Sequence, residues 1–125
     1  MPRVVHFELC AEQPERARKF YSDVFGWEMT KWDGPQEYWL ISTGDSDKPG
    51  INGGGFTPVS EEDKFRSTVI TMEVDSVDDY VAKVTANGGT IVVPKMAIPG
   101  VGWLAYFKDT EGVIVGMMQT DHAAQ

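Results

Sequence analysis

Cysteine is nearly missing from this chain: Cys10 stands alone, so no internal disulfide can form and the fold must hold without one. That usage fits a reducing compartment, and a cytoplasmic location is expected. Long apolar runs are missing too. No stretch approaches the ~20 residues that cross a bilayer, and Met1-Pro2-Arg3 leads straight into an alternating segment instead of a signal-peptide core. Basic residues are scarce: 11 Lys and Arg stand against 19 Asp and Glu, a net charge of −8. Phosphates would be repelled by such a chain, so neither a nucleic-acid nor a membrane partner is expected. A small molecule held in a pocket remains open to it.

What is present is a repeated unit. Val4-Val5-His6-Phe7-Glu8-Leu9 alternates apolar and polar as a strand with one covered face does. From Pro14 the period changes, and Ala17, Phe20, Tyr21, Val24 and Phe25 form one apolar helical stripe. Pro14 suits the first turn of that helix and Gly26 a left-handed stop. A weaker copy begins 63 residues later. Val69 to Val74 reads as a strand, Ser76 with Asp79 as a helix cap, and Val77, Tyr80, Val81 and Val84 as the stripe, with Gly89 opposite Gly26. A strand and helix present twice in 125 residues point to duplication within one domain of residues 1–125.

The remaining segments complete each copy. Trp27 to Trp32, Glu37 to Thr43 and Ile51 to Phe56 read as strands of the first, while Thr90 to Val93, Trp103 to Phe107 and Val113 to Gln119 read as strands of the second. Gly53-Gly54-Gly55 has neither the spaced glycines of a dinucleotide fingerprint nor the lysine of a P-loop, so a bulge or a closely packed strand is expected there. Thr57 to Lys64 reads as a linker, Pro94 as the end of a strand, Lys95 to Gly102 as a loop, and Thr120 to Gln125 as a disordered tail carrying His122. Each half then runs strand, helix, strand, strand, strand. The expected class is α+β, with two βαβββ modules at about residues 1–57 and 66–120.

Taken together, Val5-His6-Phe7-Glu8-Leu9, the helix with Phe20-Tyr21 and Phe25-Gly26-Trp27, and the closing Tyr106 to Gly112 resemble the vicinal oxygen chelate superfamily. That superfamily includes glyoxalase I, extradiol dioxygenases, and fosfomycin- and bleomycin-resistance proteins. The resemblance spans nearly the whole chain and implies paired βαβββ modules forming a cleft. It also implies divalent-metal chemistry in some members, with ligands on several cleft-facing strands. His6 is the only matched ligand position, because Val69, Gly116 and the Gly53 to Gly55 run offer no donor atom. No cofactor is therefore expected, although a divalent metal stays possible if Glu8 or Glu73 has replaced a lost ligand. The resemblance further implies a homodimer, which would also cover open sheet edges.

Alternation turns His6, Glu8 and Cys10 to one face of the first strand and Val69, Thr71 and Glu73 to one face of its counterpart. His6 and Cys10 are ~13 Å apart by that spacing, too far for a thiolate–imidazole pair, and Cys10 reads as a small buried side chain. Glu8 and Glu73 are two carboxylates with acid–base potential, or else rim groups satisfied by neighbours. His6 is either a ligand contact or a hydrogen-bonded core histidine. Tyr38, Trp39, Trp103 and Tyr106 supply aromatic surface for a planar or apolar ligand, or simply core. The expected substrate-binding set is His6, Glu8, Trp39, Thr71, Glu73 and Trp103, with the ligand between the modules and no catalytic residue assigned. The expected function is small-molecule binding of the glyoxalase or bleomycin-resistance kind without a tightly held metal. The alternative is a metal-assisted lyase, isomerase or dioxygenase using His6.

Overall fold

The structure is a computed structural model that describes residues 1–34, 37–45, 47–56 and 68–125. Its elements run β1 (Arg3–Cys10), α1 (Pro14–Phe25), β2 (Glu28–Lys31), β3 (Tyr38–Ser42), β4 (Gly53–Phe56), β5 (Val69–Glu73), α2 (Val77–Ala86), β6 (Thr90–Ile98), β7 (Gly102–Lys108) and β8 (Ile114–Thr120). The expected α+β class and the order strand, helix, strand, strand, strand are found in both halves. The linker expected at Thr57 to Lys64 lies outside the described residues.

Two compact units emerge, one of His6–Val69 and one of Met1–Val5 with Ile70–Gln125. Within the first the strand order is β2-β3-β4-β1, with β1 parallel to β4 and the other neighbours antiparallel. Within the second it is β6-β7-β8-β5, again with one parallel pair, β5 with β8. The repetition extends to register: Glu8 lies beside Gly54, and Thr71, its counterpart at the 63-residue offset, beside Gly116.

Local chemistry accounts for the helix ends. Pro14 occupies the first turn of α1, where no amide donor is needed, and Gly26 at φ 74° takes the left-handed position, its N–H donating to Ser22 O. In α2 the Ser76 Oγ accepts from the Asp79 N–H at 3.2 Å, and Asp78 and Asp79 lie at the positive end of the helix dipole.

Each helix covers one face of its own strands. In the first unit Tyr21 of α1, with Trp27, Phe7 and Leu9, packs on Met29, Trp39 and Ile41. In the second Tyr80, Val81 and Val84 of α2 pack on Val74, Ala105, Phe107, Val115 and Met117. The apolar stripe of α1 is wider than its core contact: Phe20, Val24 and Phe25 remain 55 %, 56 % and 62 % exposed.

Two local expectations are corrected, and a third is narrowed to one of its two alternatives. β6 does not stop at Pro94 but runs to Ile98, because its ladder to β7 shifts register between Val93 and Met96 and so needs no donor from the proline. The segment after Thr120 is docked: Ala124 is 2 % exposed, its carbonyl accepts from Gly100 N–H, and Asp121 N–H donates to Val101 O. The glycine run is a regular closely packed strand, since a Cβ on Gly53 would meet Phe7 and one on Gly54 would overlap the Tyr38 hydroxyl.

Candidate functional site

β1 and β3 carry the polar centre of the first unit. Phe7 and Leu9 point to the helix side, so pleating sends His6 and Glu8 to the opposite face. On β3, Trp39 and Ile41 join the helix-side core, which sends Tyr38 to the face of His6 and Glu8. Its ring reaches across Gly54, the one position on β4 where any side chain would collide with it. The Tyr38 hydroxyl donates to Glu8 Oε2 at 2.7 Å and lies 2.8 Å from His6 Nε2. With its proton committed to Glu8, the phenol oxygen can only accept from His6, which puts the proton of a neutral imidazole on Nε2. A directed chain results: His6 Nε2–H to Tyr38 to the Glu8 carboxylate. Glu8 is 6 % exposed. Burial holds the His6 imidazole below its ordinary value, and the Glu8 charge partly opposes that shift.

The sequence matches the model of the Glyoxalase/Bleomycin resistance protein/Dioxygenase superfamily over residues 3–117. The chain belongs to that superfamily. Solved structures share the fold at low identity. A hypothetical protein of Bacillus halodurans is 15 % identical, with 99 % of this chain and 98 % of that one covered at a TM-score of 0.72. A Streptomyces coelicolor methylmalonyl-CoA epimerase variant in complex with 2-nitronate-propionyl-CoA is 14 % identical, with 98 % and 97 % covered at 0.69. The epimerase of Mycobacterium tuberculosis is 13 % identical, with 94 % and 87 % covered at 0.67. No curated protein matches the sequence.

For a superfamily member, the residues here fit a divalent metal poorly. Among the described residues no three His, Cys, Asp or Glu side chains gather where they could hold one. His6 and Glu8 are both engaged by Tyr38. At Gly116 a donor-bearing side chain is barred by packing as well as by sequence: its Cβ would come 2.8 Å from Thr71 Oγ1 and 3.1 Å from Tyr106 Cε1. Among the described residues, three protein ligands, the usual minimum, are not assembled in either unit.

Of the other expected site residues, Trp39 belongs to the first unit and Thr71, Glu73 and Trp103 to the second. Trp39 is 7 % exposed, faces the helix side among Met29 and Ile41, and its Nε1 has no hydrogen-bond partner among the described residues. Thr71, in the second unit, is 2 % exposed, and its Oγ1 is likewise unpartnered among the described residues. Glu73, at the end of β5, is exposed, with Thr120 Oγ1 donating to it at 3.5 Å. Glu8 and Glu73 are thus unlike in environment, one enclosed and one solvated. Trp103 packs toward the α2-side core, donates from Nε1 to Asp121 Oδ2 at 3.0 Å, and has Lys95 Nζ 4.6 Å from its ring centroid. The bond from Trp103, with a second from Ala123 N–H, holds the Asp121 carboxyl below its usual range. Cys10 is half-buried.

The residue missing from the expected set is Tyr38. Its signal was the parity of β3: once Ile41 is taken as core, period-2 alternation makes Trp39 core and Tyr38 its opposite. Tyr106 stands in the same relation to Trp103, on the face of Thr71 and Gly116.

Proposed function

We propose that this chain binds a small organic molecule at the polar face of β1, with His6, Tyr38 and Glu8 as its contacts and without a resident metal. The observation that carries this reading is the Tyr38 hydroxyl, which stands 2.8 Å from His6 Nε2 and 2.7 Å from Glu8 Oε2, where a metal-dependent design would leave both donors free. With His6 Nε2–H and Tyr38 O–H already donated within the chain, His6 Nδ1 is left as an acceptor, which suits a ligand that donates, such as an alcohol or an amide. Thr71 and Tyr106 offer the second unit's own hydroxyls. Glu73, in the second unit, takes no part in this reading, and Trp39 and Trp103 support their strands from the helix side.

Elemental analysis of protein purified without chelator tests the metal part. Less than about 0.1 equivalent of Ni, Zn, Fe or Mn is expected, since one donor position cannot retain the ion. One equivalent, lost on His6→Ala, would favour the alternative, a metal-assisted lyase, isomerase or dioxygenase.

A second reading adds proton transfer to the bound molecule, because the Tyr38–Glu8 pair is a directed donor–acceptor chain. Exchange of the α-proton of methylmalonyl-CoA in D2O, followed by NMR, tests it: protein-dependent exchange abolished by Tyr38→Phe supports it, and background exchange in the wild type removes it.

The protein acts, in this reading, as a cytoplasmic homodimer. β2 and β6 each pair on one side only among the described strands, and α1 exposes Phe20, Val24 and Phe25. A monomer by light scattering at micromolar concentration would count against it. No helix among the described residues is long and apolar enough to cross a membrane.

A further inference from the structure

Glu73 is left without a role by the site on β1, and it ends a row of side chains that crosses all four strands of the second unit. The register pairs Met96 of β6 with Leu104 of β7, Leu104 with Met118 of β8, and Met118 with Glu73 of β5. Partners across a ladder share a face. Their chain neighbours Trp103, Ala105, Met117, Met72 and Val74 pack with α2, so pleating turns Met96, Leu104, Met118 and Glu73 to the side away from the helix. At the strand spacing the row runs about 14 Å.

The row has an apolar length and a charged end. Met96, Leu104 and Met118 are half-buried and Glu73 is exposed, while Tyr106 and Thr71, in the neighbouring row, are buried and close that flank. Unbranched thioether chains reshape around what they meet, so two methionines and a leucine in line make a narrow, adaptable apolar strip. Glu73 has no lysine or arginine partner among the described residues. The donor that reaches it, Thr120 Oγ1 at 3.5 Å, makes a long bond that leaves most of the carboxylate's acceptor capacity open. A carboxylate at the end of an apolar strip, on a chain of net charge −8, is complementary to a cationic head on an apolar tail.

We propose that this row binds an unbranched alkylamine, its tail lying along Met96, Leu104 and Met118 and its ammonium donating to Glu73. A chain of about ten carbons reaches along it, at about 1.2 Å per bond when extended. A carboxylic acid of the same length fills the same strip but brings like charges together, so it binds more weakly.

Titration calorimetry on the intact chain compares decylammonium, decanoate and hexylammonium, each below its micelle concentration. Decylammonium is expected to bind on the order of tenfold more tightly than either, against hexylammonium because that is the ratio four half-buried methylenes supply. Glu73→Gln should weaken decylammonium about threefold to fivefold, the size of one exposed charge pair, and as an exposed residue it can be changed without disturbing the core. Glu28→Gln removes the same charge from an exposed position in the first unit and should change the affinity by less than about twofold. Methyl-¹³C labelling gives one signal for each of the 6 methionines. Those of Met96 and Met118, assigned by Met96→Leu and Met118→Leu, should move on binding, and those of the buried Met29 and Met117 should stay. His6→Ala should leave the affinity unchanged, so this site stands or falls apart from the one on β1. No binding of decylammonium, equal affinity for decanoate, equal losses in Glu73→Gln and Glu28→Gln, or methyl shifts that spare Met96 and Met118 would each overturn the proposal.

Discussion

Replacing Tyr38 by Phe removes one oxygen and leaves the ring over Gly54, so the result reads the hydroxyl alone. Two hydrogen bonds go with it: one to a carboxylate that is 6 % exposed and one from a partly buried imidazole. A bond to a charged group contributes about 1.5–3 kcal/mol and a neutral one about 0.5–1.5. The sum predicts a loss of about 2–4.5 kcal/mol. With an m-value of roughly 2 kcal/mol per molar urea, the unfolding midpoint should fall by roughly 1–2 M at unchanged slope. Because other contacts to Glu8 exist, the loss alone does not prove coupling. Glu8→Gln and the double variant close a cycle, and an interaction energy of at least about 1 kcal/mol is expected. A Tyr38→Phe loss below about 0.5 kcal/mol, or a cycle that sums to zero, would refute the directed chain from His6 to Glu8.

Gly54→Ala should cost at least about 2 kcal/mol in urea unfolding, because its Cβ displaces Tyr38, whereas Gly55→Ala should stay within about 1 kcal/mol of wild type, its Cβ meeting nothing nearer than 3.5 Å. Equal costs would show that Tyr38 does not rest on Gly54. Thr71→Val, which exchanges a buried unpartnered hydroxyl for a methyl, should leave stability unchanged or raise it by about 1 kcal/mol; a loss above 1 kcal/mol by thermal or urea unfolding would mean the hydroxyl has a partner. For His6 the folded value lies below 6.5, so its contribution is complete above pH 6.5 and declines as the pH falls below it, where the unfolded chain takes up the proton first. Glu8 and Tyr38 are the groups facing it. Unfolding of wild type and His6→Gln between pH 8 and pH 5 should therefore converge on acidification, and parallel profiles would contradict the burial of a neutral imidazole.

Much of the fold was legible because its signals are local. Pro14, Gly26 and Ser76 act within one helical turn, and the change of period from two to 3.6 marks strand and helix without knowledge of any neighbour. The 63-residue offset reappears as matched strand order and as the pairing of Glu8 with Gly54 and Thr71 with Gly116. Pro94 misled because the rule that proline ends a strand assumes a regular ladder, and a register shift is a property of two strands. The tail misled because small polar residues can dock through backbone groups, which composition does not display.

The site was legible only by strand parity, and parity fails where neighbours are chemically alike. His6 and Glu8 alternate with Phe7 and Leu9, so their face is unambiguous, and the structure brings them to one hydroxyl. On β3, Tyr38 and Trp39 are both aromatic, and preferring the larger ring selects the helix side, opposite to His6 and Glu8. The indole has the greater apolar area to bury and goes to the core; the phenol has an oxygen to satisfy and goes to the carboxylate. β7 repeats the division, with Trp103 toward the helix side and Tyr106 beside Thr71. The same physics explains Gly54 and Gly116: each glycine leaves the room that a tyrosine ring takes, Tyr38 over the first and Tyr106 beside the second.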